Sequence, residues 1–236
     1  MRIALNLLFL LPGVVGGTET YARLLIGQLA ALDETNDYLL ILNEECRELT
    51  FAQRPNFRSI VLPVRATNRA ARYFWEQTVL PLRLRVEKVD ILHSLGYVGP
   101  LLPPCPHVVT IHDVNYQNPA VRIPLFKRKI LGGFVASVAR RADHIITVSD
   151  FSKRQIVELL CVPDSKVTTT YLAANPRSFA LLGAEPAGDV GYDASDGRPY
   201  ILAFGGTAPH KNLPRLIAAF AEIANRVTHR LIVVGS

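Results

Sequence analysis

The chain has 236 residues, of which 49% are hydrophobic and 19% charged, so it can bury a sizeable core and is not expected to be disordered. Its net charge of +6 suits an anionic partner, but basic clusters such as residues 127–129 lack the interleaved aromatic residues of a nucleic-acid surface. Its three cysteines lie too far apart for a zinc site or a disulfide framework, which favours a reducing, cytoplasmic compartment.

The first apolar run, MRIALNLLFLLPG, has the look of a signal peptide, but no small-residue cleavage site follows it, and we predict a buried strand over residues 3–11. Apolar runs then alternate with segments of helical periodicity. Further strands are predicted over residues 38–43, 57–62, 90–94, 107–111, 144–149 and 166–172, and helices over 18–32, 69–86, 124–141 and 151–160, with Pro81 weakening the end of the second helix. This alternation predicts an α/β fold, a Rossmann-like parallel sheet with helices on both faces.

The composition changes between Asn175 and Pro199, where AEPAGDVGYDASDG is rich in glycine and carboxylates and poor in periodic apolar residues. After it the pattern restarts with a strand over residues 200–204, a helix capped by Asn212 and a strand over 231–234. We therefore predict a Rossmann-like domain over residues 1–174, a linker over 175–198, and over 199–236 the incomplete β-α-β start of a second Rossmann-like domain.

Gly16 and Gly17 lie at the predicted turn between the first strand and the first helix. Backbone N–H groups and the helix dipole favour an anion there, so the turn is a candidate cradle for a diphosphate. The glycine spacing matches neither the dinucleotide fingerprint nor the P-loop, which argues against NAD enzymes and NTPases. The alternative is that the two glycines only permit a tight turn.

His112 and Asp113 follow the fifth predicted strand, at the carboxyl edge of the sheet where open α/β folds bind ligands. An imidazole there can bond a sugar hydroxyl or a phosphate oxygen, and a neighbouring carboxylate can orient it. The alternative is a satisfied polar cap in a turn. Ser149 and Asp150, after the next strand, are better explained as the N-cap of the following helix.

In the second region, Gly205 follows a strand, and His210 and Lys211 precede a helix N-terminus. This pattern predicts a second phosphate-binding loop, one that contains a cation. The alternative for Lys211 is an ordinary solvated lysine. Two such loops in consecutive domains favour a ligand held by both domains.

These segments together resemble glycosyltransferase family 4, a retaining family with the GT-B architecture of two facing Rossmann-like domains. The resemblance lies in GGTETYAR, TIHDVN, RRADHIITVSDFSKRQI and YILAFGGTAPHKNLPRLIAAF, and it covers almost the whole chain. It implies an enzyme that transfers a sugar from a nucleoside diphosphate sugar to an acceptor, with retention of configuration and without a metal or a cofactor.

The resemblance also implies roles for particular residues. Gly16 and Gly17 match the glycine loop near the donor diphosphate and the acceptor, His112 matches the histidine beside the donor sugar, and Lys211 matches the phosphate-binding lysine. Many members carry an arginine five positions before that lysine, where this chain has Gly206, which leaves His210 as the candidate for part of the contact. The family's E-x7-E element lies beyond the equivalent of Ser236, so we expect the 236-residue chain alone to be inactive, either as a fragment or as a naturally shortened protein.

The acceptor is expected to belong to cell-envelope polysaccharide biosynthesis, and a lipid-linked oligosaccharide, a polysaccharide and a small molecule all remain open. The segment from Arg122 to Arg141 is predicted to make peripheral contact with an anionic membrane at its cytoplasmic face, because its basic residues 127–129 lie beside Leu125, Phe126, Ile130 and Leu131. No apolar stretch reaches the ~20 residues of a membrane-spanning helix. The alternative is an ordinary amphipathic helix packed on the sheet.

Two functions of other classes remain open. A nucleotide-dependent oxidoreductase or epimerase would place Glu44 or Glu45 on a ribose hydroxyl, although the glycine spacing is wrong for that class. A non-catalytic binding or regulatory module would keep only the acceptor surface, which the incomplete second domain favours.

Overall fold

The computed structural model describes residues 1–14, 16–117, 124–173, 197–205 and 211–235. The strands are β1 Arg2–Asn6, β2 Asp37–Leu42, β3 Phe57–Val61, β4 Ile91–Ser94, β5 His107–Thr110, β6 His144–Thr147, β7 Val167–Thr169, β8 Tyr200–Phe204 and β9 Arg230–Val234. The helices are α1 Gly17–Leu32, α2 Arg69–Val86, α3 Leu125–Arg141, α4 Asp150–Leu160 and α5 Leu213–Ile223. They fall into two compact units, one with β1 to β7 and the other with β8, α5 and β9.

The first unit is built on a seven-stranded sheet with the order β3-β2-β1-β4-β5-β6-β7, in which every neighbouring pair is parallel. The strand order reverses between β1 and β4, where Asn6 pairs with Ser94 at the carboxyl ends. This arrangement confirms the predicted Rossmann-like fold. It also creates a crevice at the switch point, the place where such sheets bind ligands.

Both faces of the sheet are covered, as the predicted fold requires. Successive β2 side chains point to opposite faces, so Leu40 and Leu42 join one buried cluster and Leu39 and Ile41 the other. The first cluster includes α1 residues such as Ile26, and the second includes Leu80 and Leu84 of α2. The helices α1 and α2 therefore cover opposite faces of the sheet.

The first strand is shorter than predicted, because it ends at Asn6 although the apolar run continues. The Asn6 Oδ1 atom accepts from the Leu8 backbone N–H at 3.1 Å. The Asn43 Nδ2 group donates to the Leu8 and Leu10 carbonyls at 3.0 and 2.7 Å. These two buried amides bend the chain into a turn while its apolar side chains stay in the core.

Helix α2 has the predicted range of Arg69–Val86, and Pro81 does not end it. Strand β7 stops at Thr169, where residue 172 was predicted, and beyond it the Tyr171 hydroxyl donates to the Asp150 carboxylate at 2.5 Å.

The second unit confirms the predicted β-α-β pattern, with β8 and β9 forming a parallel pair. Asn212 occupies the N-cap position of α5, but in a left-handed conformation with φ of 52° and without a side-chain capping bond, so the predicted side-chain cap is wrong. Within α5 no residue is buried. The predicted linker lies, apart from residues 197 and 198, outside the described residues, and the domain boundaries stay predictions.

We expect Gly99→Ala to destabilise the protein, because a Cβ on Gly99 would lie 2.6 Å from Ser94 Oγ and 2.7 Å from His107 Cε1. Overpacking of this kind costs roughly 1–3 kcal/mol in the free energy of unfolding. Gly133→Ala in α3 is the control, since an added Cβ there meets nothing within 4 Å and should stabilise the helix by about 0.5–1 kcal/mol. Urea denaturation measures both, and equal stability of the Gly99 variant and the wild type would contradict the described packing.

Candidate functional site

A cavity of about 240 Å³ opens at the carboxyl edge of the first sheet, where the strand order reverses. Its walls are the segments after β1, β3 and β4 and the first turns of α1 and α2. The polar side chains that line it are Thr18, Arg69, Arg72, Tyr73 and Tyr97. The cavity therefore combines a switch-point location with a polar, partly cationic lining, which is the usual setting of a ligand site in this fold.

The glycine turn predicted to bind an anion lies beside this cavity. Gly16 precedes α1 with φ of 57° and ψ of −124°, a backbone conformation that L side chains rarely adopt. Its carbonyl accepts from the Glu19 and Thr20 backbone N–H groups, which starts the helix. Because Thr18 in the first turn of α1 lines the cavity, the N-terminus of α1 flanks it.

His112 lies two residues beyond β5, at the same edge of the sheet. Its Nε2 is 3.3 Å from the Leu95 carbonyl oxygen, and its ring packs edge-on against Tyr21 of α1 with centroids 4.8 Å apart. Burial lowers the pKa of His112, while the Leu95 carbonyl and Asp113 oppose that shift. A neutral ring whose Nε2–H is donated to Leu95 offers Nδ1 as an acceptor for a sugar hydroxyl.

The Asp113 side chain bonds to the backbone and not to the His112 imidazole. Its carboxylate is exposed, and Oδ1 accepts from the Asn115 backbone N–H at 3.0 Å. Among the described residues, no hydrogen bond links it to the His112 ring. The observed contact is the polar turn cap that was the alternative for this pair, and any role in chemistry stays a prediction.

Ser149 caps the next helix, as predicted, because its Oγ accepts from the Ser152 backbone N–H at 3.1 Å. The two carboxylates that an oxidoreductase would place on a ribose are already engaged. Glu44 pairs with Arg47 at 2.7 Å, and Glu45 accepts from the Ala66 N–H at 2.9 Å and from Thr67. These contacts count against that alternative function.

The loop of the second unit is described only in part. Gly205 directly follows β8, and its backbone N–H donates to the Val234 carbonyl. A Cβ on Gly205 would collide with Val233 Cγ1, so close strand packing already requires glycine there. Lys211 is exposed just before α5. His210 and Gly206 lie outside the described residues, so the geometry of the predicted phosphate loop is not defined.

Helix α2 supplies functional candidates to which the sequence reasoning assigned no role. Its buried residues recur every four positions, as Arg72, Glu76, Leu80 and Leu84, so two charged groups occupy core-facing positions of the stripe. Arg72 Nε and both carboxylate oxygens of Glu76 are buried, and none has a partner in hydrogen-bond geometry among the described residues. Burial raises the pKa of Glu76 to about 7, while the Arg72 charge and the nearby Asn6 amide oppose that shift. The sequence did contain a signal for these two residues, because Arg72 and Glu76 continue the four-residue spacing of the buried Leu80 and Leu84.

Buried histidines form the polar contacts between β4 and β5. The His107 Nε2 atom is 2.9 Å from Ser94 Oγ, and His93 Nε2 is 2.8 Å from Thr110 Oγ1. Burial lowers the pKa of both imidazoles to about 4, so both are neutral at physiological pH. Their role is to satisfy strand-end hydroxyls inside the sheet.

Comparison with known proteins identifies related folds. The family model described as Glycosyltransferase Family 4 matches residues 15–177. HepE of Anabaena, solved in complex with UDP and glucose, is similar with a TM-score of 0.59 and 14% identity over 100% of this chain and 61% of that one. The lipopolysaccharide outer core galactosyltransferase WaaB gives a TM-score of 0.56 and 11% identity over 100% of this chain and 69% of that one.

A glycosyltransferase from Rickettsia africae gives a TM-score of 0.51 and 13% identity over 100% of this chain and 68% of that one. At these identities the structures establish the fold alone. The chain spans between 61% and 69% of the length of the three structures. No match was found among curated proteins.

We expect Glu76→Gln to change how stability depends on pH. The folded-state pKa of about 7 exceeds the ordinary 4.5, so folding binds a proton between these values and wild-type stability falls as the pH rises from 4.5 to 7. The fall amounts to at most ~3 kcal/mol and is complete above pH 7. The variant lacks this titration, so its stability relative to wild type should improve from pH 5 to pH 8 in urea denaturation.

The exposed Glu34→Gln variant is the matched control and should show no such change. Parallel pH profiles for Glu76→Gln and wild type would contradict the assignment.

Proposed function

This chain belongs to glycosyltransferase family 4, and we propose that it binds the acceptor in the transfer of a sugar from a nucleoside diphosphate sugar, with retention of configuration. The observation that carries the proposal is the cavity at the β1/β4 switch point, flanked by the α1 N-terminus. The UDP and glucose bound in the HepE structure support a nucleotide sugar as the donor.

Three groups carry the proposed chemistry. The Gly16–Gly17 turn and the α1 N-terminus stabilise negative charge near the acceptor, through backbone N–H groups and the helix dipole. His112 is held in place by Leu95 and Tyr21, and its Nδ1 accepts a hydrogen bond from a hydroxyl of the donor sugar. This bond fixes the orientation of the sugar. Lys211, with His210, neutralises the departing diphosphate, a task that needs only a positioned cation.

The acceptor is proposed to be a glycan or a lipid-linked precursor of envelope polysaccharide, reached at the cytoplasmic face of a membrane. Leu125, Phe126 and Ile130 at the start of α3 are 71%, 75% and 56% exposed, and Lys127 and Lys129 between them are exposed too. Apolar and cationic side chains together suit the headgroup region of an anionic bilayer. Arg122 and Ile123 lie outside the described residues. No helix among the described residues is long and apolar enough to cross a membrane.

Transfer from a panel of nucleoside diphosphate sugars tests the proposal, with the 236-residue chain and with any longer product of the same gene. We expect transfer by a longer product and little by the 236-residue chain, which covers 61–69% of its structural neighbours. In the active protein, His112→Ala should lower kcat about 10- to 100-fold, the effect of losing one strong hydrogen bond.

His144→Ala is the control, because His144 begins β6 at the opposite edge of the sheet and bonds Thr168. Its turnover should stay within about twofold of wild type. Absence of transfer from every donor by either protein would leave a binding module as the function, and equal losses in the two variants would remove His112 from the site.

The membrane proposal predicts that the protein sediments with vesicles of phosphatidylglycerol and phosphatidylcholine more strongly than with phosphatidylcholine alone. Lys127→Glu with Lys129→Glu should weaken that binding about tenfold or more, since each surface lysine is worth about 1 kcal/mol. Arg85→Glu with Lys88→Glu makes the same change of charge at the end of α2 and should bind as wild type does. Equal binding to both lipid compositions would reject the membrane proposal.

A further inference from the structure

The charged side chains that line the switch-point cavity are all positive. Two arginines, Arg69 and Arg72, line it from the first turn of α2, and none of its lining residues is acidic. Thr18, Tyr73 and Tyr97 add hydroxyl groups that can donate to an oxygen-rich ligand. The lining therefore offers donors and positive charge without a carboxylate to neutralise it.

Arg72 is the unusual member of this lining. It is only 7% exposed, its Nε is buried without a hydrogen-bond partner, and its guanidinium makes no hydrogen bond or ion pair with another described residue. Its guanidinium carbon lies 4.8 Å from the centroid of the Tyr73 ring. A buried, unpaired cation is destabilising by several kcal/mol unless a partner compensates it.

Glu76 interacts with Arg72 electrostatically but does not form a direct ion pair with it. It lies one helical turn beyond Arg72 and is fully buried, yet among the described residues no ion pair within 4.0 Å joins the two. Burial raises the pKa of Glu76 to about 7, so its carboxyl is only partly ionised at neutral pH. The guanidinium therefore keeps most of its capacity to bind an external anion.

We propose that the cavity binds a phosphate group of the acceptor, with the Arg72 guanidinium as its main ligand and Arg69 as a second cation at the mouth. This inference rests on the proposed function and names the chemistry of the acceptor. The guanidinium fork matches phosphate oxygens in a bidentate geometry. A volume of about 240 Å³ holds roughly eight water molecules, which is enough for one sugar phosphate or phosphate headgroup.

The chain carries its own reporter for this site. Trp75 is the only tryptophan and lies three residues after Arg72 in α2, packed against the buried cluster on that face. Titration with inorganic phosphate at constant ionic strength should give a saturable change in Trp75 fluorescence, with acetate as the carboxylate arm and methyl phosphate as the ester arm. We expect both phosphates to bind more tightly than acetate.

Three variants of the chain locate the anion. Arg72→Gln should weaken phosphate binding at least tenfold, and Arg69→Gln, at an exposed position, should weaken it about threefold. Arg85→Gln removes the same charge from the last turn of α2, about 20 Å along the helix from Arg72, and should bind phosphate as wild type does.

The proposal is overturned if phosphate gives no saturable change, if acetate binds as tightly, or if Arg72→Gln and wild type bind equally. Should Arg72→Gln fail to fold by urea denaturation, Arg72→Lys and Arg69→Gln decide the matter, and unchanged binding in both rejects it. In the transfer assay, equal use of acceptors with and without a phosphate would reject this inference while leaving the glycosyltransferase function standing. Phosphate binding at Arg72 without any sugar transfer would support the site and reject the function.

Discussion

The hydrogen bonding of β1 to β4 is the constraint on which the rest of the first unit depends. Once these strands pair in parallel, with Asn6 opposite Ser94, later strands must add outward on one side and β2 and β3 on the other. The connections then leave in opposite directions, and α1 and α2 cover opposite faces. No helix can fill the gap above the two carboxyl ends, and the cavity lies there.

The same constraint explains why polar groups penetrate the core at this place. Asn6 and Asn43 hold the turn after β1, and Ser94 contacts His107 beneath the β4 loop. Burial keeps the imidazoles neutral, because a charged ring would lose its hydration without gaining a partner. Among the described residues of this region, the Arg72 guanidinium nitrogen Nε and the Glu76 carboxylate oxygens are buried without a hydrogen-bond partner, and of the two side chains Arg72 lines the cavity. An unsatisfied buried cation therefore lies where a ligand can enter.

Much of this architecture was predictable from the sequence. Continuous apolar runs followed by helical periodicity predicted the parallel sheet, and the strand-end position of His112 placed it at the correct edge. The end of β1 was not predictable, because residues 7–10 look like a strand and the turn depends on the distant Asn43 amide. Arg72 and Glu76 were missed because amphipathic periodicity counts apolar residues only, and it treats charges as solvent-facing.

A crystal structure of the protein soaked with a phosphate-bearing acceptor analogue tests the central claim most directly, namely that the switch-point cavity is the acceptor site. We predict a phosphate within hydrogen-bond distance of the Arg72 guanidinium, with the rest of the acceptor lying over the first turn of α1 toward His112. An acceptor bound elsewhere on the chain, with the cavity closed by its own side chains, would contradict it.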